Sequence, residues 1–179
     1  MERRIAKMNI SSAGGTASSG SKTCKVTLPT SWVEAMGIDG NRRELELTFD
    51  GQIITMSRRL DGSEFAAQQL AKCHEVRVLR LYDGDTLCST IYADFTGHIL
   101  AVENQSVPLV KTAFGSNPLP DWEDFQRFLE ERCIPRQRAG LREYLEALGL
   151  EEYDPLAIIE KTGGRMAEDQ QWLTVEVLK

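Results

Sequence analysis

The chain has 179 residues, 41% apolar and 27% charged, a balance that predicts a folded globular protein of one ordinary or two small domains and excludes disorder along its whole length. No apolar run approaches the roughly 18 residues needed to cross a bilayer, and the opening Met1-Glu2-Arg3-Arg4-Ile5 lacks the apolar core of a secretion signal, so no membrane contact and a cytoplasmic location are expected. The net charge of −6 is unevenly spread: residues 1–60 carry nine Lys/Arg against six Asp/Glu, a surplus of +3, whereas the remainder stands at −9, so the two parts suit different partners.

Residues 4–10 alternate weakly and predict a strand, followed by a small-residue loop over 11–21. Residues 23–28 predict a second strand with Cys24, Val26 and Leu28 on one face and Thr23, Lys25 and Thr27 on the other; Pro29 ends it. Thr30 or Ser31 is positioned to cap a short helix over 32–36, with Trp32, Val33 and Met36 at helical spacing and Gly37 as its left-handed stop. Residues 44–49, with Leu45, Leu47 and Phe49 expected inward, then form a hairpin with residues 52–57 around Asp50-Gly51.

A helix is expected over 63–73, with Phe65, Ala66, Leu70 and Cys73 near one face, as a spacer before three strands at 76–82, 86–95 and 98–103 joined by Asp83-Gly84-Asp85 and Thr96-Gly97. A Pro/Gly-rich loop over 108–120 precedes helical stripes at Trp122, Phe125, Phe128 and Leu129, at Leu141, Tyr144, Leu145 and Leu148, and at Leu156, Ile158 and Ile159. Residues 173–178 alternate like a strand. The fold class is therefore α+β, in three parts: a β-rich module over 1–60, a helix with an antiparallel meander over 61–115, and a helical interaction module over 116–179.

The order strand, polar loop, strand ending in Leu-Pro, one-turn helix ending in Met-Gly-Ile and hairpin containing Phe-Asp-Gly-Gln-Ile-Ile resembles the AbrB/MazE/SpoVT family. The resemblance rests on Lys25-Val26-Thr27-Leu28-Pro29-Thr30-Ser31-Trp32-Val33-Glu34-Ala35-Met36-Gly37-Ile38 and on residues 44–57, about a third of the chain. It implies a swapped-hairpin homodimer docking on double-stranded DNA, with Lys22 and Lys25 beside the loop, Arg3, Arg4 and Lys7 on the preceding segment, and Arg42 and Arg43 before the third strand as phosphate contacts. Chemistry fits that role: Lys and Arg neutralise phosphates and release counterions, while Gly14, Gly15 and Gly20 admit a close backbone approach. The same residues also read as ordinary solvated charge. The chain departs from the family pattern in its longer Gly/Ser loop and acidic second half. The stretch from Arg132 to Trp172 resembles, more loosely, a helical segment that precedes HipA-like kinases in clostridial-type proteins, which implies an interaction module.

Arg132, Arg136, Arg138 and Arg142 form a possible basic edge for a phosphate or an acidic partner, against the alternative of pairing with Glu130, Glu131, Glu143 and Glu146. Trp122, Tyr153 and Trp172 read as core in preference to a base-stacking platform. Cys24, Cys73, Cys88 and Cys133 have no paired spacing, and His74 and His98 are the only histidines, so no metal site, no cofactor and mostly buried thiols are expected. With no phosphate loop, nucleophile elbow or ligand cluster, an enzyme is not expected. Two functions are weighed: a DNA-binding regulator or antitoxin-like protein whose acidic part binds a toxin or other protein, and a mobile-element inhibitor, such as an anti-CRISPR, presenting an acidic face to a Cas9-type nuclease.

Overall fold

A computed structural model describes residues 2–12 and 21–179, which form two compact units, one reaching to Arg59 and one running from Leu60 to Lys179. The chain is α+β, and its sheets are all antiparallel.

In the first unit, β1 (Asn9–Ser12) pairs with β2 (Lys22–Lys25), placing Asn9 opposite Lys25 and Ile10 opposite Cys24. The strand expected over 4–10 starts only at Asn9; the stretch before it turns to α1 instead, where Glu2 and Arg4 meet Trp32. Helix α1 (Thr30–Ala35) begins two residues before the expected start at 32, because Pro29, with φ −61°, is its N-cap in place of Thr30 or Ser31 and its carbonyl accepts from Trp32 and Val33 N–H. Gly37 follows at φ +68° and ends the turn as expected. Strands β3 (Leu45–Phe49) and β4 (Ile54–Arg58) form the second hairpin. Its return strand starts at Ile54, two residues later than the alternation suggests, because the Asp50 carboxylate captures the N–H groups of Gln52 and Ile53 at 2.9 and 2.8 Å.

The register of β3–β4 puts Leu45, Leu47, Phe49, Ile54 and Met56 on one face and Glu46, Thr48, Thr55 and Ser57 on the other. The expected inward position of Leu45, Leu47 and Phe49 is not met within one copy: Leu47 is 63% and Phe49 68% exposed. Among the described residues of this unit none is buried. Among the described residues of this unit, two two-stranded ribbons and a six-residue helix make no second layer to close over the apolar faces.

The second unit has a four-stranded sheet in the order β7-β6-β5-β8, with β5 (Val76–Asp83), β6 (Thr86–Asp94), β7 (Ile99–Asn104) and β8 (Gln171–Val177). Helix α2 (Gly62–Leu70), opened by a capping box between Asp61 and Glu64, lies on one face. Its first residue rests so closely on Tyr92 that a Cβ on Gly62 would come within 2.0 Å of the ring. The other face carries α3 (Trp122–Glu131), α4 (Leu141–Leu148) and α5 (Pro155–Thr162), which close over Leu79, Leu81, Ile91 and Leu173 with Phe125, Leu129, Leu145, Ile158 and Ile159.

The sequence reading separates a meander ending at 115 from helices starting at 116. In the structure that boundary falls inside one unit, since β8 pairs along β5 and the helices supply the sheet with its core. Nor is α2 a free spacer: Phe65, Ala66 and Gln69 are buried in this unit. Among the described residues no helix is long and apolar enough to cross a membrane.

Candidate nucleic-acid interface

Charge that meets a phosphate backbone must be exposed, and all seven basic residues nominated in the first unit, Arg3, Arg4, Lys7, Lys22, Lys25, Arg42 and Arg43, are exposed. Their placement divides them into three groups. Lys25 shares the polar face of the first hairpin with Asn9, Ser11 and Thr23, whereas Lys22, three residues earlier, lies on the opposite face with Ile10 and Cys24, as a period of two dictates. Arg3, Arg4 and Lys7 belong to the arm before β1. Arg42 and Arg43 sit in the turn before β3, where the Asp39 carboxylate accepts from the N–H groups of Asn41 and Arg42 at 2.7 and 2.9 Å; these two bonds hold Asp39 below its usual range. The structure thus does not gather the seven on one surface of a single copy. Gly14, Gly15 and Gly20 lie outside the described residues.

Two further basic residues lie at the end of β4, Arg58 as its last residue and Arg59 just after it. Arg59 pairs with Glu44 at 3.1 Å, and the Arg58 side chain passes beside Gly37. Sequence reasoning counted both in the local charge without nominating them, because a strand end carries no mark of where its side chains will lie.

The arginines of the second unit fare differently. Arg132 is only 7% exposed and cannot meet a phosphate: its guanidinium donates to both Asp169 carboxylate oxygens at 2.6 and 3.1 Å, to the Gly164 carbonyl at 3.0 Å and to the Gln171 carbonyl at 2.9 Å. The fork matches a bidentate carboxylate and holds the Asp169 carboxyl below its ordinary range. Arg136 pairs with Glu130 at 2.8 Å and lies 4.3 Å from the centre of the Tyr153 ring; Arg142 pairs with Glu146 at 3.0 Å. Two of the intramolecular pairs weighed from sequence are therefore present, and Arg132 uses Asp169, a partner outside that set. Arg138 stays exposed.

The three large aromatics are committed within this unit. Trp172 stacks on Tyr82 at 4.6 Å and donates its indole N–H to the Gly84 carbonyl; Tyr153 donates its hydroxyl to the Ile134 carbonyl; Trp122 packs against Phe95 and Phe125. Cys88 and Cys133 are buried, and burial, followed by the Asp154 and Glu130 charges, pushes the Cys133 thiol up to about 12. Cys24 and Cys73 are exposed, which corrects the expectation of mostly buried thiols: Cys24 sits on an uncovered ribbon and Cys73 on a turn at φ +62°. Among the described residues no three His, Cys, Asp or Glu side chains converge as metal ligands.

One buried polar pair has no counterpart in the sequence reading. Asp94, fully buried, accepts from His74 Nδ1 at 2.7 Å and from Thr96 and Gly97 N–H at 2.9 Å each. Burial alone would raise its pKa; the bonds from His74, Gly97 and Thr96 outweigh that and lower it. The pair ties the segment after α2 to the β6–β7 turn and is structural.

Against protein-family models, curated proteins and solved structures, the chain has no significant match.

Proposed function

We propose that the first unit is a swapped-hairpin module that pairs with a second copy and docks on double-stranded DNA, while the acidic second unit serves a protein partner, the organisation of a DNA-binding regulator or antitoxin-like protein. The observation that carries this reading is the state of the two ribbons. They expose Ile10, Leu47, Phe49 and Ile54, and among the described residues the unit buries none. Amphipathic ribbons whose described residues are all unburied gain a core by association, and a second copy offers the same apolar faces in self-complementary form. Covering those faces leaves the polar sides, with Lys25, Asn9, Ser11 and Thr23, turned to solvent. Pairing also doubles each basic residue about a two-fold axis, the symmetry that a duplex with two half-sites offers.

The second unit supports a different role. Its charge of −9 repels phosphate, and Arg132, Arg136 and Arg142 are engaged by its own carboxylates.

The test is a mobility-shift titration at several salt concentrations, with the chain's own upstream DNA against random duplex. A regulator shifts the former with a clear preference, its affinity falls with salt, and replacing Lys25, on the face left to solvent, by Ala weakens binding on every sequence and flattens the salt slope. Weak, indifferent DNA binding together with co-purification of a nuclease would favour the inhibitor instead. No binding even at low salt would refute the DNA role.

A further inference from the structure

The stretch from Glu2 to Met8 makes no sheet pairing, yet it is not loose on the surface. The Glu2 carboxylate accepts from the Trp32 indole N–H at 2.7 Å, and the Arg4 guanidinium lies 5.7 Å from the centre of the same ring. Glu2 and Arg4 thus both reach the half-buried Trp32. Arg3, Ile5 and Lys7, which alternate with them in sequence, are exposed. Ile5 is fully exposed.

We infer that Trp32 is a positioning residue for DNA binding: it holds the amino-terminal arm through Glu2 and Arg4 so that Arg3 and Lys7 are presented outward to backbone phosphates. The inference rests on the DNA-binding reading above and divides labour within the arm. Arg4 belongs to the tether and is spent on the indole face, a cation–π contact. Arg3 and Lys7 carry the phosphate contacts. The tether works by limiting the freedom the arm loses on binding, which strengthens association without adding a contact to the nucleic acid.

The full chain tests this with two variants that differ in one hydrogen bond. Glu2→Gln and Glu2→Ala remove the same charge, but only the glutamine retains an oxygen able to accept from the indole N–H. The first readout needs no DNA: the backbone 15N heteronuclear NOE of Arg3, Arg4 and Ile5 should fall in the alanine variant and stay near the unaltered value in the glutamine variant. The second is duplex affinity, expected to be about three- to tenfold weaker for alanine than for glutamine, in line with one net hydrogen bond, at an unchanged salt slope because no phosphate contact is lost. Equal NOE values in the two variants would overturn the tether. A loosened arm with equal affinities would overturn its role at DNA. Absence of duplex binding by the unaltered chain at low salt would remove the DNA reading and the arm's role together, and the NOE comparison would then still decide whether the tether exists.

Discussion

Phe49 separates a self-sufficient first unit from one completed by a second copy. It stands on the apolar face of the second ribbon opposite Ile54 and is 68% exposed in a single copy. Full burial of a phenylalanine side chain is worth up to about 3 kcal/mol, so the third already covered contributes about 1 kcal/mol per copy. If pairing covers the rest, each copy gains about 2 kcal/mol more, or about 4 kcal/mol for the two copies in a dimer. Phe49→Thr keeps a residue suited to a strand while removing the ring, and is expected to weaken dimerisation by about a thousandfold, the equivalent of that 4 kcal/mol. Sedimentation equilibrium over a concentration series measures the dissociation constant directly. An unaltered chain that stays monomeric, or a dimer whose constant the substitution leaves unchanged, refutes the argument that this face is closed by a second copy.

Further expectations concern the second unit. Arg132→Met leaves the Asp169 carboxylate with the Gln171 N–H but without its guanidinium partner and takes a donor from the Gly164 and Gln171 carbonyls; because Asp169 is itself exposed and screened by solvent, the cost is about 1–3 kcal/mol, to be read from the urea unfolding midpoint, and no measurable loss would show that the guanidinium is not the link between α3 and β8. Asp94 has a folded-state pKa below its ordinary 3.8, so its ionised form contributes stability that is fully present above that value and is lost as pH falls through the lowered one. The stability difference between the unaltered chain and Asp94→Asn should therefore be largest near neutral pH and close on acidification; a difference that grows as pH falls would contradict the assignment. A maleimide should label Cys73 in the folded chain and spare Cys88 and Cys133, with mass mapping of the labelled peptides as the check; modification of Cys133 at the rate of Cys73 would contradict its burial and raised pKa.

Local features were the legible ones. Asp50-Gly51 marks a hairpin, Asp83-Gly84 and Thr96-Gly97 mark the meander, and the stripes Trp122–Leu129 and Leu141–Leu148 mark helix faces, because each is written within a few residues of itself. What depends on distant residues was not readable. Arg132 and Arg136 are alike in type and lie four apart, yet one is buried and the other exposed; Asp169, thirty-seven residues further on, makes the difference. Nothing at Glu2 announces Trp32, thirty residues away. In the first unit the alternation of Leu45, Leu47 and Phe49 correctly separates an apolar from a polar face, but alternation describes a surface and is silent on what covers it. The candidate basic residues were legible as exposed charge; their grouping was not, because it depends on how the hairpins are turned and paired.

The place of β8 has a consequence for how the second unit comes into being. Its first strand, Val76–Asp83, has one neighbour in Thr86–Asp94 almost at once, but the other, Gln171–Val177, follows about ninety residues later, and contacts of such separation delay folding. On the ribosome, one border of that strand stays bare while the intervening helices emerge. Nascent chains are thus open to mutual capture along Val76–Asp83, and a chaperone that shields this border, or slow expression at low temperature, should raise the yield of folded protein.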